Sequence, residues 1–291
     1  MHMDELETFV ALVNERSFTK VALKKSISQP TVSVHLKNLE REFSTTLLTR
    51  TTKQLHLTPA GELFYQEALV MLHSYKRLKD TLHLRKTEVA GLLKIGASFT
   101  IGEYLLPGIL ATMQQQYPDL EFEITINNTD AIVKAVHQFD VEIGLIEGTS
   151  LVENVTQTPF KRDRLLIVTC SNDHSLYSTI DHLQYQAWVI REEGSGTRRS
   201  FDHLIQANQL VVASSLVISS TQGIKESVKN GLGLALLSEA TIKEELKHGT
   251  LKEINIPDVS ETRSFSYVIN KESPLEKNAH ALIKELQKEE A

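Results

Sequence analysis

Gln29, Thr31, Ser33, Val34, Lys37, Asn38 and Arg41 crowd into one short segment of the chain. Wound at 100° per residue, Thr31, Val34, Lys37, Asn38 and Arg41 share a stripe, with Gln29 and Ser33 flanking its start. Amides, hydroxyls and cations on one face can donate to phosphates and base edges, and an isolated valine can meet a thymine methyl. A polar stripe by itself also describes an ordinary solvated helix face, so its meaning depends on what surrounds it. A second set lies farther along: Ser98-Phe99-Thr100, Asn128-Thr129, Glu147, the run Arg191 to Arg198 (REEGSGTR), and Thr221. Its hydroxyls and glycines stand at predicted strand ends and helix starts, where backbone N–H groups favour an anion. Any one of these hydroxyls alone is more often a helix cap.

The elements that must carry the first set are legible. Thr19 to Lys25 reads as a short helix and Ser26-Ile27 as a turn; Ser28 is placed to cap the next helix, with Pro30 in its first turn. Val32, Leu36, Leu39 and Phe43 form the inward stripe of that helix. Upstream, Leu6, Phe9, Val10 and Val13 supply one face of a third helix. Downstream, residues 45–58 (TTLLTRTTKQLHLT) alternate around the tip Arg50, Thr51, Thr52, Lys53, as a hairpin would. Such a wing sets its cations against the backbone or minor groove while the helix occupies the major groove.

Together, SFTKVA, SISQPTVSVHLKNLE and LLTRTTKQLHLTPAG resemble the winged helix-turn-helix of the LysR-type transcriptional regulators. The resemblance is dense over residues 4–61 and the family layout spans the chain. It implies an α/β protein with an N-terminal winged helix-turn-helix (residues 1–58), a long linker helix and hinge (59–90) that pairs subunits, and a two-lobed effector domain (91–291) built like the periplasmic solute-binding proteins. Lobe I would comprise about 91–162 and 268–291, and lobe II about 163–267. The contacts to promoter DNA would fall on Gln29, Pro30, Thr31, Ser33, Val34, Lys37, Asn38, Arg41, Arg50, Thr51, Thr52 and Lys53. The chain departs from the usual pattern at Val21, His35 and Phe43-Ser44; the last pair stands where Leu-Gly is usual, so Ser44 inherits a position suited to positive φ.

Residues 59–88 contain one Gly and one Pro, both at the start, and read as a helix of about 40 Å. Phe64, Ala68, Met71, Tyr75, Leu78 and Leu82 alternate steps of four and three, an a/d seam suited to pairing two subunits. A helix packed on its own domain is the other reading. From residue 91 strands alternate with helices: strands 92–98, 120–126 and 141–147 with helices 102–117 and 129–139 between them make a parallel βαβαβ unit. A second set follows, with strands at 165–170, 187–192, 214–219 and 233–238 and helices at 197–208 and 221–230, before strand 264–270 and helix 275–289. Ligands of such sheets lie at the carboxyl ends of the strands. That rule gathers Ser98, Phe99, Thr100, Asn128, Thr129, Glu147, Ser195, Gly196, Thr197 and Arg198, with Thr221 a weaker candidate, around a small oxyanion or carboxylate. Glu147, being acidic, can instead orient a loop or hold an amine. REEGSGTR also resembles the effector domains of LysR-type members that govern sulfur assimilation and related anion metabolism.

Composition narrows the classes. The 291 residues carry a net charge of −6, but residues 1–86 hold 13 Lys and Arg against 9 Asp and Glu. A mildly basic head on an acidic body suggests DNA binding that needs geometry and two copies. The single cysteine, Cys170, allows no internal disulfide and fits a reducing, cytoplasmic setting. No signal peptide or membrane span is expected. Eleven histidines lack metal-ligand spacing, GSGT lacks a Walker lysine, and Ser195 is not in a nucleophile elbow. We therefore expect no metal, no cofactor and no catalysis. The expected partners are promoter DNA, a second copy giving a dimer or tetramer, a small effector and RNA polymerase. A small-solute receptor is the alternative, supported by the second half alone.

Overall fold

The computed structural model describes residues 2–50, 55–83, 89–150, 152, 154–257, 259–273 and 275–288. They fall into two compact units, residues 1–85 and 86–291.

The first unit is three helices, a two-stranded ribbon and a long helix. Helices α1 (Met3–Glu15), α2 (Phe18–Lys25) and α3 (Gln29–Glu42) are followed by β1 (Leu48–Arg50), β2 (Leu55–Leu57) and α4 (Pro59–His83). Leu6, Phe9, Leu12, Val21, Val32 and Leu39 are wholly buried where the three short helices meet. Ser28 caps α3 by accepting the Thr31 N–H at 3.2 Å. After α3, Ser44 takes φ of +50°, the left-handed conformation expected of a position that glycine usually serves. The ribbon is antiparallel, pairing Leu48 with Leu57 and Arg50 with Leu55. Glu40 ties it to α3, accepting the Leu47 N–H at 2.8 Å. Thr51, Thr52 and Lys53 lie outside the described residues.

The start of α4 belongs to the same core. Phe64 sits edge-on between Phe9 and Phe43, with centroids 5.1 and 5.0 Å away. Tyr65 donates to Asn14 Oδ1 at 2.8 Å, and Ala68 and Leu69 are buried. The expected a/d seam is therefore divided: Phe64 and Ala68 pack within their own unit, while Met71, Tyr75 and Leu78 are exposed. The side chain of Leu82 lies outside the described set. Periodicity shows which residues share a face of a helix, whereas the globule to which the helix is anchored decides where that face stops being internal.

The second unit is built on a seven-stranded mixed sheet in which β9 also pairs with β6; the main order is β10-β6-β11-β5-β3-β4. Strands β3 (Gly91–Ser98), β4 (Leu120–Asn127) and β5 (Ile143–Glu147) run parallel, as the βαβαβ pattern predicts. A π-helical turn (Ile101–Leu105) leads into α5 (Leu106–Gln116), and α6 is Thr129–His137. The predicted strand 165–170 is the second half of β6 (Val155–Cys170), 16 residues long. Beside it β11 (Glu261–Asn270) pairs antiparallel from Glu261↔Leu165 to Asn270↔Val155. These two strands run through both lobes, so the sheet is continuous where two separate sets of strands were expected. The first half of β6 (TQTPFKRD) mixes polar residues with Pro159, which hides its strand character from a hydrophobic pattern.

Lobe I buries Leu93, Ile95, Met113 and Leu282 on one side of the sheet and Ile132, Val136 and Ile146 on the other. Lobe II adds β7 (Ala187–Ile190), α7 (Gly196–Ala207), β8 (Ser214–Val217), α8 (Thr221–Lys229), β9 (Ala235–Ser238), α9 (Glu239–Lys247) and β10 (Leu251–Ile254). Helix α9 and strand β10 were not anticipated. The final helix α10 (Lys277–Lys288) packs in the lobe I core through Leu282 and Leu286.

Gly61 gives the sharpest test of the first unit. A Cβ there would stand 2.0 Å from the Leu47 carbonyl oxygen, backbone that cannot rotate aside. Gly61→Ala should destabilise the head by about 2 kcal/mol or more, read as a lowered unfolding midpoint in the Gly61→Ala chain, with the second unit's transition unchanged.

Candidate DNA-reading surface and interlobe site

On α3 the sequence-predicted residues divide into two groups. Gln29, Pro30, Val34, Lys37 and Arg41 are exposed, and Val34 is 51% so. Thr31, Ser33 and Asn38 are half-buried. Thr31 Oγ1 lies 2.7 Å from Ser28 Oγ, and Ser33 donates to the Gln29 carbonyl at 3.2 Å. Both hydroxyls thus sit near the start of α3, and that of Ser33 spends its proton on the helix backbone.

Asn38 is turned toward the protein: its Nδ2 donates to Glu5 Oε1 at 2.8 Å, and its Oδ1 accepts from Arg41 at 3.4 Å. Burial pushes the Glu5 carboxyl up, but Asn38 and the His2 N–H outweigh it and hold the group below its ordinary value. One turn earlier, His35 Nδ1 is 2.9 Å from Thr8 Oγ1. Because Thr8 donates its own proton to the Asp4 carbonyl at 2.7 Å, it accepts from His35, placing a proton on Nδ1. Glu5, Thr8 and His35 therefore fix the roll of α3 on α1. Sequence reasoning missed this tether, since a wheel assigns faces without showing which polar residues find partners. Arg50 ends β1 opposite Leu55.

In the second unit the predicted loops converge, but largely on a group of the protein's own. Glu147, at the end of β5, is 1% exposed. Its Oε1 accepts the Thr100 N–H at 2.9 Å, and its Oε2 accepts from Thr197 at 3.1 Å and from Arg263 at 2.6 Å. Arg263, from β11, also donates to Asp163 at 2.8 Å, to Thr197 at 2.9 Å and to Thr100 Oγ1 at 3.3 Å. Ser238 completes the cluster on Asp163 at 2.6 Å. Burial drives both carboxyls upward; beside Arg263 and the Thr100 N–H, Glu147 nevertheless stays below its ordinary value. Asp163 is raised, because burial outweighs Arg263 and Ser238 and the neighbouring Glu147 adds to it. Glu147 thus holds Thr100 of one lobe and Thr197 of the other. A Cβ on Gly196 would meet the Glu147 carbonyl oxygen at 2.3 Å, so Gly196 serves the close packing of α7 on β5.

Asn128 and Thr129 open α6, and the Asn128 amide reaches the Glu193 carbonyl of the other lobe at 3.5 Å. Asn128 caps through Ala131 N–H at 3.0 Å, and Thr129 donates to the Glu147 carbonyl at 3.3 Å. The Asp130 N–H donates to the Gly194 carbonyl at 3.1 Å, and Asp130 pairs with Arg199 at 3.0 Å. Arg198 turns to Asp202 at 2.9 Å and to the Arg191 carbonyl at 3.2 Å.

What remains open to a ligand lies beside this network. Ser98 Oγ is buried and makes no well-formed hydrogen bond among the described residues, although it stands close enough to Glu147 to help hold that carboxyl down. Ser195, 2% exposed, makes no side-chain cap to α7. Arg191, 3% exposed, stacks on Phe99 at 4.6 Å and reaches Thr221 Oγ1 at 3.5 Å. It also pairs with Glu192, whose carboxyl burial pushes up and Arg191 brings below its ordinary value. One turn along α8 from Thr221, Lys225 is 4% exposed and held by Glu245 at 2.8 Å and the Thr241 carbonyl at 3.0 Å, 5.2 Å from the Tyr104 ring. Arg263, Asp163 and Lys225 were missing from the sequence-based site. Asp163 and Arg263 stand just ahead of the predicted strands and become partners only because β6 and β11 pair, with Arg263 opposite Asp163, whereas Lys225 reads as one more residue of a predicted helix.

A helix-turn-helix head with a β-ribbon, followed by a two-lobed α/β unit, defines a DNA-binding regulator with a sensor domain. Residues 3–62 match the family described as bacterial regulatory helix-turn-helix protein, lysR family, and residues 86–291 match the LysR substrate binding domain. The chain belongs to the LysR-type transcriptional regulators. It is 43% identical over 282 residues to the HTH-type transcriptional regulator CysL of Bacillus subtilis, covering 96% of this chain and 93% of that protein. The uncharacterized HTH-type transcriptional regulator YeiE of Escherichia coli is 31% identical over 87% of this chain and 86% of its own length. Among solved structures, a full-length OxyR variant from Pseudomonas aeruginosa is similar with a TM-score of 0.71 at 21% identity, covering 99% of this chain and 94% of that one. The regulatory domain of Synechocystis CcmR in complex with 2-PG has a TM-score of 0.63 at 21% identity over 68% of this chain and 96% of that one.

Replacing Arg263 tests the buried cluster. Arg263→Met leaves two buried carboxylates facing each other and should cost about 3–5 kcal/mol at neutral pH. Both carboxyl pKa values would then lie above their unfolded values, so the deficit is full above them and shrinks as protonation sets in on lowering the pH toward about 5. Urea unfolding across that range checks the sign; a deficit that widens on acidification contradicts the arrangement.

Proposed function

We propose that this LysR-type transcriptional regulator, with its effector-binding domain, grips dyad promoter sites in the cytoplasm as a dimer or tetramer, in contact with RNA polymerase, and answers to a small oxyanion or carboxylate between its lobes. The single observation that carries the effector reading is Arg191: a buried guanidinium set between Phe99 of lobe I and Thr221 of lobe II. Lys225 on α8, the buried Ser98 hydroxyl at the end of β3 and the start of α7, which Ser195 leaves uncapped, add donors. A buried guanidinium beside a helix start suits an anion. The likeness of residues 191–198 to sulfur-linked members adds support. Pairing through α4 draws on the exposed Met71, Tyr75 and Leu78, and two heads read two half-sites where one reads too few base pairs.

An effector acts here by its differential affinity for two lobe arrangements, worth about 1–3 kcal/mol of coupling. Calorimetry on the full chain with sulfate, sulfite, thiosulfate and short carboxylates should find at least one binder that alters the promoter footprint; silence from every anion rejects the effector reading. On the DNA side, Arg50→Ala or Lys53→Ala should weaken binding evenly across sequences and lower the salt slope by about one. Changes at Thr31 or Ser33 should shift sequence preference instead. Fluorescence anisotropy on matched and mismatched duplexes separates the two, and identical behaviour of both classes refutes the assignment of α3.

A further inference from the structure

Arg191 is buried, with 2% of its side chain exposed, yet its charge is already engaged. Nε donates to Glu192 Oε2 at 2.7 Å and Nη2 to Glu192 Oε1 at 2.8 Å, a bidentate pair between sequence neighbours. The partners differ in freedom. Arg191 is fixed on the Phe99 ring at 4.6 Å and against Thr221 at 3.5 Å. The Glu192 side chain is 21% exposed, heads the loop that precedes α7, and has only the Asn128 amide and its own backbone beside it to hold the carboxylate once Arg191 is taken. Rotating the carboxylate outward returns it to water, whereas moving the guanidinium breaks its stack and its contact with α8.

We infer that Glu192 is a built-in competitor for the effector: a small oxyanion takes over the Nε–Nη2 edge of Arg191 and turns the Glu192 carboxylate out to solvent. This deepens, and rests on, the anion reading of the interlobe site. The guanidinium edge is a planar fork matched to two oxygens of one group, so the exchange favours carboxylates and tetrahedral oxyanions over a point charge such as chloride. Because the fork is already satisfied, a weak or monodentate anion gains nothing by entering. Affinity is reduced by the fraction of chains in which Glu192 has let go.

The exchange also reaches lobe I. Glu193, the next residue, accepts from Asn128 Nδ2 at 3.5 Å, and the Gly194 carbonyl accepts the Asp130 N–H at 3.1 Å. Gly194 holds φ of +85°, with Asp130 and Asn128 side-chain atoms 3.2 and 3.3 Å from where a Cβ would stand. Turning Glu192 outward moves the segment through which lobe II holds the start of α6. Occupancy of Arg191 is thereby converted into a change of interlobe contact.

Titration calorimetry of the full-length chain and of Glu192→Gln, with sodium sulfate, sodium acetate and sodium chloride, tests the exchange. Glu192→Gln keeps the volume and removes the charge, so sulfate or acetate should bind about five- to tenfold more tightly, with chloride unchanged. Arg191→Lys in the Glu192→Gln background keeps a cation without the fork and should cancel the gain. Equal or weaker binding by Glu192→Gln overturns the competitor role and leaves the anion site standing. Binding by Glu192→Gln alone supports the competitor role while removing those anions as effectors of the unaltered chain; no heat with any oxyanion in either protein overturns both. Amide hydrogen exchange at Asp130 should quicken in Glu192→Gln, and an unchanged rate overturns the link to lobe I.

Discussion

Arg263 reaches Glu147 at 2.6 Å and Asp163 at 2.8 Å, and none of the three side chains is more than 4% exposed. A cation placed so deep must be paired, and one shared by two carboxylates must be held from several directions. The rest of the sensor unit meets that demand. β5 delivers Glu147, β6 delivers Asp163 and β11 delivers Arg263, while the starts of the π-helical turn and of α7 bring Thr100 and Thr197. The cluster thus joins both lobes where the long strands β6 and β11 run side by side. Two carboxylates face the one guanidinium within it, and the hydroxyls of Thr197 and Ser238 complete their shells.

The head solves a similar problem with smaller forces. A helix that reads DNA must present one face without rolling, and apolar packing alone permits some slip. Asn38 on Glu5 and His35 on Thr8 fix α3 to α1 with directional bonds on the edge of its outer stripe. Their geometry leaves Gln29, Val34, Lys37 and Arg41 facing outward. Glu40 carries the same rigidity into the ribbon by accepting the Leu47 and Leu48 N–H groups at 2.8 and 3.3 Å. The long helix is then anchored by Phe64 between Phe9 and Phe43.

Much of this was legible because local signals and burial agreed. Ser28 and Pro30 mark the start of α3, and Ser44 marks its end through a backbone angle that few residues adopt. The parallel strands of lobe I read as apolar runs separated by helices of ordinary length. Legibility failed where the chemistry of a segment belonged to another part of the chain. Residues 155–164 form a strand because β11 lies beside them, not because their pattern alternates. Thr100 and Thr197 looked like free donors to a ligand, and they are donors to Glu147 and acceptors from Arg263.

Periodicity, caps and turn residues acting over a few positions were enough for the three-helix head, for Gln29, Val34, Lys37 and Arg41 on its outer face, for the long helix and for the strand–helix alternation of the sensor unit. Tertiary structure decided which polar groups are spent within the protein and which are left over. Glu147, Asp163 and Arg263 are distant in the chain and joined only when β6 and β11 align. The physical reason is that a hydrogen bond or ion pair between remote residues leaves no local trace in composition, while burial makes its satisfaction compulsory.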